Sequence, residues 1–382
     1  MVLSTTIDDS LLQFSLNLSE KFQLILITTA AVFVLSGIFL FIFQPAINLY
    51  VGDNDIGIEE DTLIPGKKVD KIQQPVILSL IIPAYNEEDR LPEMLDSTFE
   101  CLQKRNLDQL KSMCHDALSD SKRQHHHSNN NNNNNNHHHH QIEIIIVNDG
   151  SKDHTVDVAR NYMKKKLDSH QLSDCLCVRL LSLTRNRGKG AAVRAGMMRS
   201  RGELCLMVDA DGATEFDDGI RKALTQMKRM KDNLITSQQS KSSSFNNECI
   251  IFGSRAHLEK ESTASRSPIR TLLMHSFHFF VETLCSSRIK DTQCGFKLFT
   301  RNAAIQLFTN LHLRRWAFDI ELVVIAEHFE IPMAEIAVKW LEVDGSKLAT
   351  SKISLLWNSI GMLRDMICVR LCYALRIWKI QK

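Results

Sequence analysis

The sequence predicts an α/β fold in which a mostly parallel β-sheet carries helices on both faces. Short apolar runs alternate with segments of helical spacing between residues 76 and 253, an order typical of parallel strands joined by helices. Four of these runs lead into polar loops. The chain has 382 residues, of which 44% are hydrophobic, so it can bury a large core.

The predicted strands are short, mostly apolar runs, the pattern of strands that are buried on both faces. The first run ends at Pro83, which cannot continue a ladder of hydrogen bonds. Residues 236–247 are polar and are predicted to form a loop. The strands are predicted at 76–82, 142–147, 178–183, 204–208 and 249–252, and the helices at about 90–111, 155–166 and 190–200.

Residues 22–43 form a run of 22 residues without a charged side chain. As a helix this run would extend about 33 Å, enough to cross a bilayer. A cleaved signal peptide and a buried core helix are the alternatives, but the preceding segment 1–21 is acidic and no small-residue cleavage pattern follows. We therefore predict a retained, single-pass membrane anchor, whose orientation the flanking charges do not fix.

The other parts of the chain are assigned from composition. Residues 44–74 are acidic, contain Pro and Gly, and are predicted to be a linker to a catalytic domain at 75–350. The His/Asn-rich tract at 125–140 cannot form a core and is predicted to be a disordered insertion. Residues 351–382 are amphipathic, and they either lie on a membrane surface or pack on the domain.

Charge and cysteine usage exclude several classes of protein. The net charge is +2, and there is no basic arm with interleaved aromatic residues, so a nucleic-acid partner is not expected. The ten cysteines contain no C-x-x-C pair. This pattern favours a reducing compartment over a disulfide framework or a zinc site.

Asp209 and Asp211 directly follow the predicted strand at 204–208. Ligands of open α/β sheets bind beyond the carboxyl ends of the strands, so both carboxylates are expected in that crevice. Hard oxygen ligands suit Mg²⁺ or Mn²⁺ bridging a diphosphate, although an Asp-x-Asp sequence also occurs in ordinary turns.

Three further loops are expected to meet at the same edge of the sheet. Residues 83–88 expose backbone groups and a carboxylate suited to a nucleoside, or they form a helix cap. Asp149 follows the strand at 142–147 and can accept from a base or a ribose, or belong to a plain Asp-Gly turn. Residues 186–190 offer two glycines and Lys189 to an anion, or simply start a helix flexibly.

The four loops contain the motifs I-I-P-A-Y-N-E-E at 81–88, I-V-N-D-G-S-K-D-x-T at 146–155, N-x-G-K-G-A-A-V-R-A-G at 186–196 and V-D-A-D-G at 208–212. In this order they resemble the family 2 glycosyltransferases with the A fold, a Rossmann-like nucleotide-diphospho-sugar transferase fold. The second half of the chain contains G-S-R at 253–255, D-T-Q-C-G-F-K-L-F at 291–299 and R-W-A-F-D-I-E at 315–321. These motifs narrow the resemblance to dolichyl-phosphate β-glucosyltransferases.

The resemblance implies transfer of glucose from UDP-glucose to dolichyl phosphate with inversion, giving dolichyl β-D-glucosyl phosphate for lipid-linked oligosaccharide assembly in N-glycosylation. It implies a place at the endoplasmic reticulum membrane with the catalytic domain facing the cytosol. Asp209 and Asp211 would hold Mg²⁺ or Mn²⁺ against the leaving UDP. The uridine would contact Ala84, Tyr85, Glu87 and Asp149, with Lys189 near the nucleotide. Pro83 would also belong to the substrate-binding site, and Gln293 and Trp316 would shape the sugar or acceptor pocket.

Two further roles are assigned to charged residues. The acceptor is a phosphate, so a guanidinium is needed to bring two anions together, and Arg255 is the first candidate with Arg270 the second. Either arginine is otherwise a solvated surface charge. Asp319 occupies the place where many family members have a base, and it either acts as one, orients other groups, or caps a neighbouring helix.

Three rival functions share part of this pattern. A dolichyl-phosphate mannosyltransferase would use GDP-mannose, but the block at 291–299 argues against it. A processive polysaccharide synthase carries Q-x-x-R-W, whereas His312 stands where the Gln belongs. A membrane-tethered nucleotide-binding scaffold without activity would not need Asp209, Asp211 and Arg255.

Overall fold

The computed structural model describes residues 29, 31–47, 57–62, 75–104, 107–119, 141–168, 176–237, 248–255, 288–341 and 352–381. By its internal contacts the chain divides into two compact units, Met1–Gly52 and Asp53–Lys382. In the first unit, residues 31–47 form helix α1. Within the described residues, no helix has both the length and the apolarity needed to cross a membrane, so the predicted span at 22–43, of which 22–28 and 30 lie outside those residues, is not confirmed.

The second unit is built on one eight-stranded sheet, counted over the described residues. Its strands are β1 (Ile58–Thr62), β2 (Val76–Ala84), β3 (Gln141–Asn148), β4 (Leu176–Leu183), β5 (Leu204–Val208), β6 (Ile250–Ser254), β7 (Phe296–Thr300) and β8 (Met333–Ala337). The strand order is β1-β4-β3-β2-β5-β7-β6-β8. Strands β4, β3, β2 and β5 run parallel to one another, as do β6 and β8, while β1 and β7 are antiparallel to their neighbours. The predicted mostly parallel α/β sheet is confirmed.

Helices cover both faces of this sheet. Alternate residues of a strand point to opposite faces. Ile81 of β2 faces Gly196, where an added Cβ would approach the Ile81 side chain to 2.6 Å. Its neighbours Leu80 and Ile82 face the other way, into a core shared with Leu95 and Met227. In the second unit the helices are α2 (Leu91–Lys104), α3 (Leu107–Leu118), α4 (Thr155–Asp168), α5 (Lys189–Arg199), α6 (Phe216–Ser237), α7 (Arg301–Asn310), α8 (Phe318–His328) and α9 (Lys352–Ala374).

The predicted linker at 44–74 is wrong in part, because residues 58–62 form strand β1. This strand pairs with the edge of β4, with Ile58 opposite Leu183 and Thr62 opposite Arg179. The Arg179 guanidinium also lies 2.7 Å from Glu60. Three of the five residues of β1 are acidic, so its sequence has the charged character of an edge strand rather than an apolar run.

Other element boundaries also differ from the prediction. The helical segment predicted at 90–111 consists of α2 and α3, and β2 continues through Pro83 to Ala84. The sequence did not predict β7, β8 or α6, and α6 extends to Ser237, inside the predicted loop at 236–247. The rest of that loop and the tract at 125–140 lie outside the described residues.

The C-terminal segment packs on the second unit along part of its length. In α9 the side chains of Met366, Cys368, Val369 and Cys372 are fully buried, whereas Trp357 is 65% exposed. Of the two alternatives for 351–382, packing on the domain therefore describes the second half of α9. The predicted boundary at 350 does not separate two units, since Asp53–Lys382 form one.

Candidate active site

The acidic pair lies at the carboxyl end of β5, where the predicted crevice is located. The Asp209 backbone N–H donates to the Gly295 carbonyl at 3.0 Å. A Cβ at position 295 would overlap the Asp209 carboxylate, so only glycine leaves room for this side chain. The Asp211 carboxylate accepts the Ala213 N–H at 3.1 Å, which shapes the turn after the strand. Both acids therefore have their positions set by local backbone contacts.

Lys189 faces this pair from the first turn of α5. Its ammonium lies 2.7 Å from an Asp209 carboxylate oxygen and 5.5 Å from the centre of the Trp316 ring. Trp316 is 44% exposed, so part of its ring is accessible to a ligand. The structure thus brings together three predicted site residues that are far apart in sequence.

Charge balance keeps this lysine protonated. Burial alone would lower the pKa of Lys189, but the charges of Asp209 and Asp319, together with the hydrogen bond that Lys189 donates to Asp209, outweigh burial and raise it. Lys189 therefore provides a fixed positive charge at the carboxyl end of β5.

Asp319 is buried in the first turn of α8 and is paired with a lysine that sequence reasoning did not single out. Its Oδ1 lies 2.8 Å from the Lys297 ammonium, and the same ammonium donates to the Cys294 carbonyl at 2.5 Å. Burial raises the pKa of Asp319 against the opposing charges of Lys297 and Lys189. Of the roles left open for Asp319, orienting other groups fits this pairing best. The signal for Lys297 was a lone lysine inside the apolar strand F-K-L-F-T.

The loops after β2 and β3 are joined by hydrogen bonds between them. The Asn86 N–H donates to Ser151 Oγ at 2.9 Å, and the Asn86 side chain accepts the Lys152 N–H at 2.8 Å. The Glu87 N–H donates to Thr155 Oγ1 at 2.7 Å. Asn86 has a φ of 53°, in the left-handed region that Asn tolerates better than most residues. The predicted uridine-binding residues Ala84 and Tyr85 lie at the start of this joined pair of loops.

Two of the predicted nucleoside contacts are engaged within the protein. Glu87 forms a bidentate pair with Arg90, at 2.6 and 2.7 Å. The Asp149 carboxylate accepts the backbone N–H groups of Arg187 and Gly188, at 2.7 and 2.8 Å. Burial raises the pKa of Asp149, although these two hydrogen bonds oppose the shift. In this structure Asp149 fixes the loop at 186–190, and its role toward uridine stays a prediction.

The two glycines of that loop approach another part of the protein rather than open space. A Cβ at Gly188 would come within 2.6 Å of the Arg314 carbonyl, and one at Gly190 within 2.7 Å of the Leu313 carbonyl. Gly188 also has a φ of 99°, which side chains rarely adopt. The glycines were predicted to admit an anion, but the contacts seen here are with the segment that leads to Trp316.

Arg255, at the end of β6, is held by Asp291. Its Nε and Nη2 donate to the two carboxylate oxygens at 2.8 and 2.9 Å, and its Cζ lies 5.6 Å from the centre of the Trp340 ring. Burial would lower the pKa of Arg255, but Asp291 raises it overall. Gln293 Nε2 lies 3.9 Å from Met362 Sδ. Arg270 lies outside the described residues.

The carboxylates of Asp209 and Asp211 suit a hard divalent cation whose other ligands would come from a diphosphate and water. Within the described residues there is no cluster of three or more His, Cys, Asp or Glu side chains that could hold a metal ion. Mg²⁺ commonly binds through one or two carboxylates and completes its shell with phosphate and water. The contact of Asp209 with the Lys189 ammonium shows that this carboxylate already faces a cation.

Comparison with solved structures gives weak global similarity. The chain aligns with mannosyl-3-phosphoglycerate synthase from Rubrobacter xylanophilus with a TM-score of 0.44 and 13% identity, covering 80% of this chain and 77% of the other. It aligns with glucosyl-3-phosphoglycerate synthase from Mycobacterium tuberculosis with a TM-score of 0.42 and 12% identity, covering 80% and 86%.

Comparison with sequences defines the class of protein. The family model described as Glycosyl transferase family 2 matches residues 127–305, and together with two similar relatives it identifies a glycosyltransferase. The chain is 42% identical over 307 residues to a dolichyl-phosphate beta-glucosyltransferase of Dictyostelium discoideum, covering 80% of this chain and 77% of the relative. The relative of the same name in Homo sapiens is 43% identical, with coverage of 80% and 78%. This chain belongs to the dolichyl-phosphate β-glucosyltransferase family.

Proposed function

We propose that this protein transfers glucose from UDP-glucose to dolichyl phosphate, giving dolichyl β-D-glucosyl phosphate and UDP with inversion at the anomeric carbon. The product would serve as a glucosyl donor for lipid-linked oligosaccharide assembly in N-glycosylation. The observation that carries the proposal is the meeting of Lys189, Asp209 and Trp316 at the end of β5, in a chain that belongs to a family named for this transfer.

The chemistry needs no strong base at the acceptor. A phosphate monoester is anionic near neutral pH, since its second pKa is about 6. One of its oxygens forms the new bond to the anomeric carbon, and the bond from that carbon to the β-phosphate oxygen of UDP breaks. The electron pair of the broken bond leaves with UDP. Asp319 is therefore free to act as an orienting group, in agreement with its pairing to Lys297.

The leaving diphosphate is the place where charge develops, and the residues at the end of β5 are suited to it. A Mg²⁺ or Mn²⁺ ion held by Asp209 and Asp211 would supply Lewis-acid neutralisation of that charge. Lys189 adds a protonated ammonium at the same point, because its pKa is raised by the carboxylates around it. The exposed face of Trp316 offers an apolar wall for the sugar or acceptor.

Arg255 is the proposed partner of the acceptor phosphate. Its bidentate bond to Asp291 holds the guanidinium in one orientation, and the nearby Asp209 charge also acts on it. A fixed guanidinium loses less conformational entropy on binding a phosphate than a mobile one.

A lipid acceptor requires the enzyme to work at a membrane. We propose that the chain is anchored in the endoplasmic reticulum membrane by a single span at 22–43, with the catalytic domain in the cytosol. The charge-free run of 22 residues supports this anchor.

Carbonate-washed membranes that contain the full chain test both parts of the proposal. They are incubated with dolichyl phosphate, Mn²⁺ or Mg²⁺, and labelled UDP-glucose or GDP-mannose. We expect label from UDP-glucose to enter the lipid, with the activity remaining in the washed membranes. Transfer from GDP-mannose alone would contradict the donor, and release of the intact chain by the wash would contradict the anchor.

A further inference from the structure

Glu321 is a fully buried carboxylate that contacts hydrogen-bonding groups from two other segments of the chain, residues 312–313 and Tyr373. Its oxygens accept the backbone N–H groups of His312 and Leu313, at 3.1 and 2.6 Å. The His312 Nδ1 lies 2.9 Å away, and the Tyr373 hydroxyl donates at 2.8 Å. A buried carboxylate is costly unless it is hydrogen-bonded, and here several donors satisfy it.

The end of the chain is fastened to the same place by further contacts. The indole of Trp378 stacks on the His312 ring, with centroids 4.3 Å apart and planes 2° apart. Trp378 is 4% exposed. Asn310 and Gln381 exchange two hydrogen bonds, at 2.7 and 3.0 Å. Residues 373–381 therefore contact the segment 310–313 through hydrogen bonds and ring stacking.

That segment continues directly into the site. The Arg314 carbonyl faces Gly188 and the Leu313 carbonyl faces Gly190, each at a distance that excludes a Cβ on the glycine. The Arg314 carbonyl also accepts the Ala191 N–H at 3.0 Å. Two residues farther along is Trp316, which lies over the Lys189 ammonium. A displacement of residues 312–316 would therefore move both Trp316 and the loop that carries Lys189.

We propose that Glu321 and Tyr373 are positioning residues that bind the C-terminal segment to residues 312–316 and thereby hold Trp316 and Lys189 beside Asp209. Among the described residues, their side-chain hydrogen bonds are to each other and to residues 312 and 313. The C-terminal segment then helps to position active-site residues, in addition to packing on the domain. The inference goes beyond the proposed function and uses that function only for its kinetic readout.

The test compares two tyrosine variants in the full chain. Tyr373→Phe removes the hydroxyl that donates to Glu321. Tyr162→Phe is a matched control, because the Tyr162 hydroxyl donates to Asp96 at 2.6 Å between α4 and α2. Two quantities are measured: steady-state kinetics with the donor that the wild type uses, and amide hydrogen exchange of peptides covering 310–318 without substrate.

For Tyr373→Phe we expect kcat/KM to fall on the order of tenfold, mainly through kcat, because small misplacements of positioning groups are costly. Amides in 310–318 should exchange faster. Tyr162→Phe should match the wild type in both measurements. Unchanged kinetics in Tyr373→Phe, or altered kinetics without faster exchange in 310–318, would overturn the inference.

A second variant covers the case in which Tyr373→Phe fails to fold. Trp378→Phe keeps an aromatic ring on His312 but reduces the stacked area, and we expect a smaller change of the same kind in both measurements. Wild-type exchange and kinetics in a folded Trp378→Phe variant would overturn the inference. The proposed function is judged separately, by whether the wild type transfers glucose from UDP-glucose at all.

Discussion

Asp209 is held from two sides, by the Gly295 backbone and by the Lys189 ammonium. The lysine and the proposed divalent cation carry the same sign of charge and meet the same carboxylate. Nucleotide binding would give Lys189 a second anionic partner in the diphosphate, and so lower the cost of sharing Asp209 with a cation. We therefore expect transfer to depend strongly on the position of the Asp209 carboxylate.

Gly295→Ala tests that position without changing a charge. The new Cβ would overlap the Asp209 carboxylate and force it to move. We expect kcat/KM for transfer to fall by about a hundredfold or more, since ångström-scale misplacement has effects of this size. Steady-state kinetics provide the measurement, with the melting temperature as a check on folding.

The chain offers a matched glycine as a control. An added Cβ at Gly361 in α9 meets nothing within 4 Å. Gly361→Ala should therefore keep full activity and stabilise the helix by about 0.5–1 kcal/mol. Full activity in both alanine variants would contradict the role given to the Asp209 position.

Among the strands, the neighbours β2, β3 and β4 are linked by the polar contacts of one buried acid, Glu143. Glu143 of β3 accepts the Ser79 hydroxyl of β2 at 2.7 Å and lies 2.7 Å from Arg179 of β4. Arg201 contacts it as well, at 2.7 Å. Burial opposes ionisation of Glu143, but Arg179, Ser79 and Arg201 together lower its pKa below the ordinary 4.5.

Glu143→Gln should destabilise the fold by about 3 kcal/mol at pH 7, because it removes the buried charge partner of Arg179, which keeps only the partly exposed Glu60, and also a charge partner of Arg201. The pKa is lower in the folded than in the unfolded state, so this carboxylate stabilises the fold above pH 4.5. That contribution is lost as pH falls below 4.5 through the folded pKa. Urea unfolding at pH 7 and below pH 4.5 measures both effects.

The difference in stability between wild type and Glu143→Gln should therefore shrink in acid. Glu203→Gln serves as the control, because this side chain is exposed and its loss should change stability by less than about 0.5 kcal/mol. A difference for Glu143→Gln that is the same at both pH values would contradict the assignment.

Elements were predictable from sequence where burial left a mostly apolar run. Strands β2, β3 and β5 are buried on both faces, and their sequences show this directly. Strand β1 was missed because an edge strand such as Ile-Glu-Glu-Asp-Thr can stay charged. Strand β8 is only partly buried and contains a charged residue, so it gives no comparable signal.

At the scale of the whole molecule, the site is assembled from segments that are distant in sequence. Asp209, Lys189 and Trp316 were predicted because each lies in a recognisable motif. The positioning residues Glu321 and Tyr373 were not predicted. They are 52 residues apart, and only the folded chain shows that they are hydrogen-bonded to each other. The partners of Asp149 and Asp319 were hidden for the same reason, since a motif does not specify what its side chains contact.

The proposed mechanism depends most on one claim, that Asp209 and Asp211 together bind a divalent cation with the nucleotide. Titration of Mn²⁺ into the full-length protein with UDP present, followed by electron paramagnetic resonance, tests it directly. Asp211→Asn is compared with wild type, and Asp157→Asn is the control, because the Asp157 side chain is 65% exposed in α4. We predict UDP-dependent Mn²⁺ binding in wild type and Asp157→Asn, and at least a tenfold loss of affinity, about 1.4 kcal/mol, in Asp211→Asn. Equal Mn²⁺ affinity in Asp211→Asn and wild type would contradict the claim.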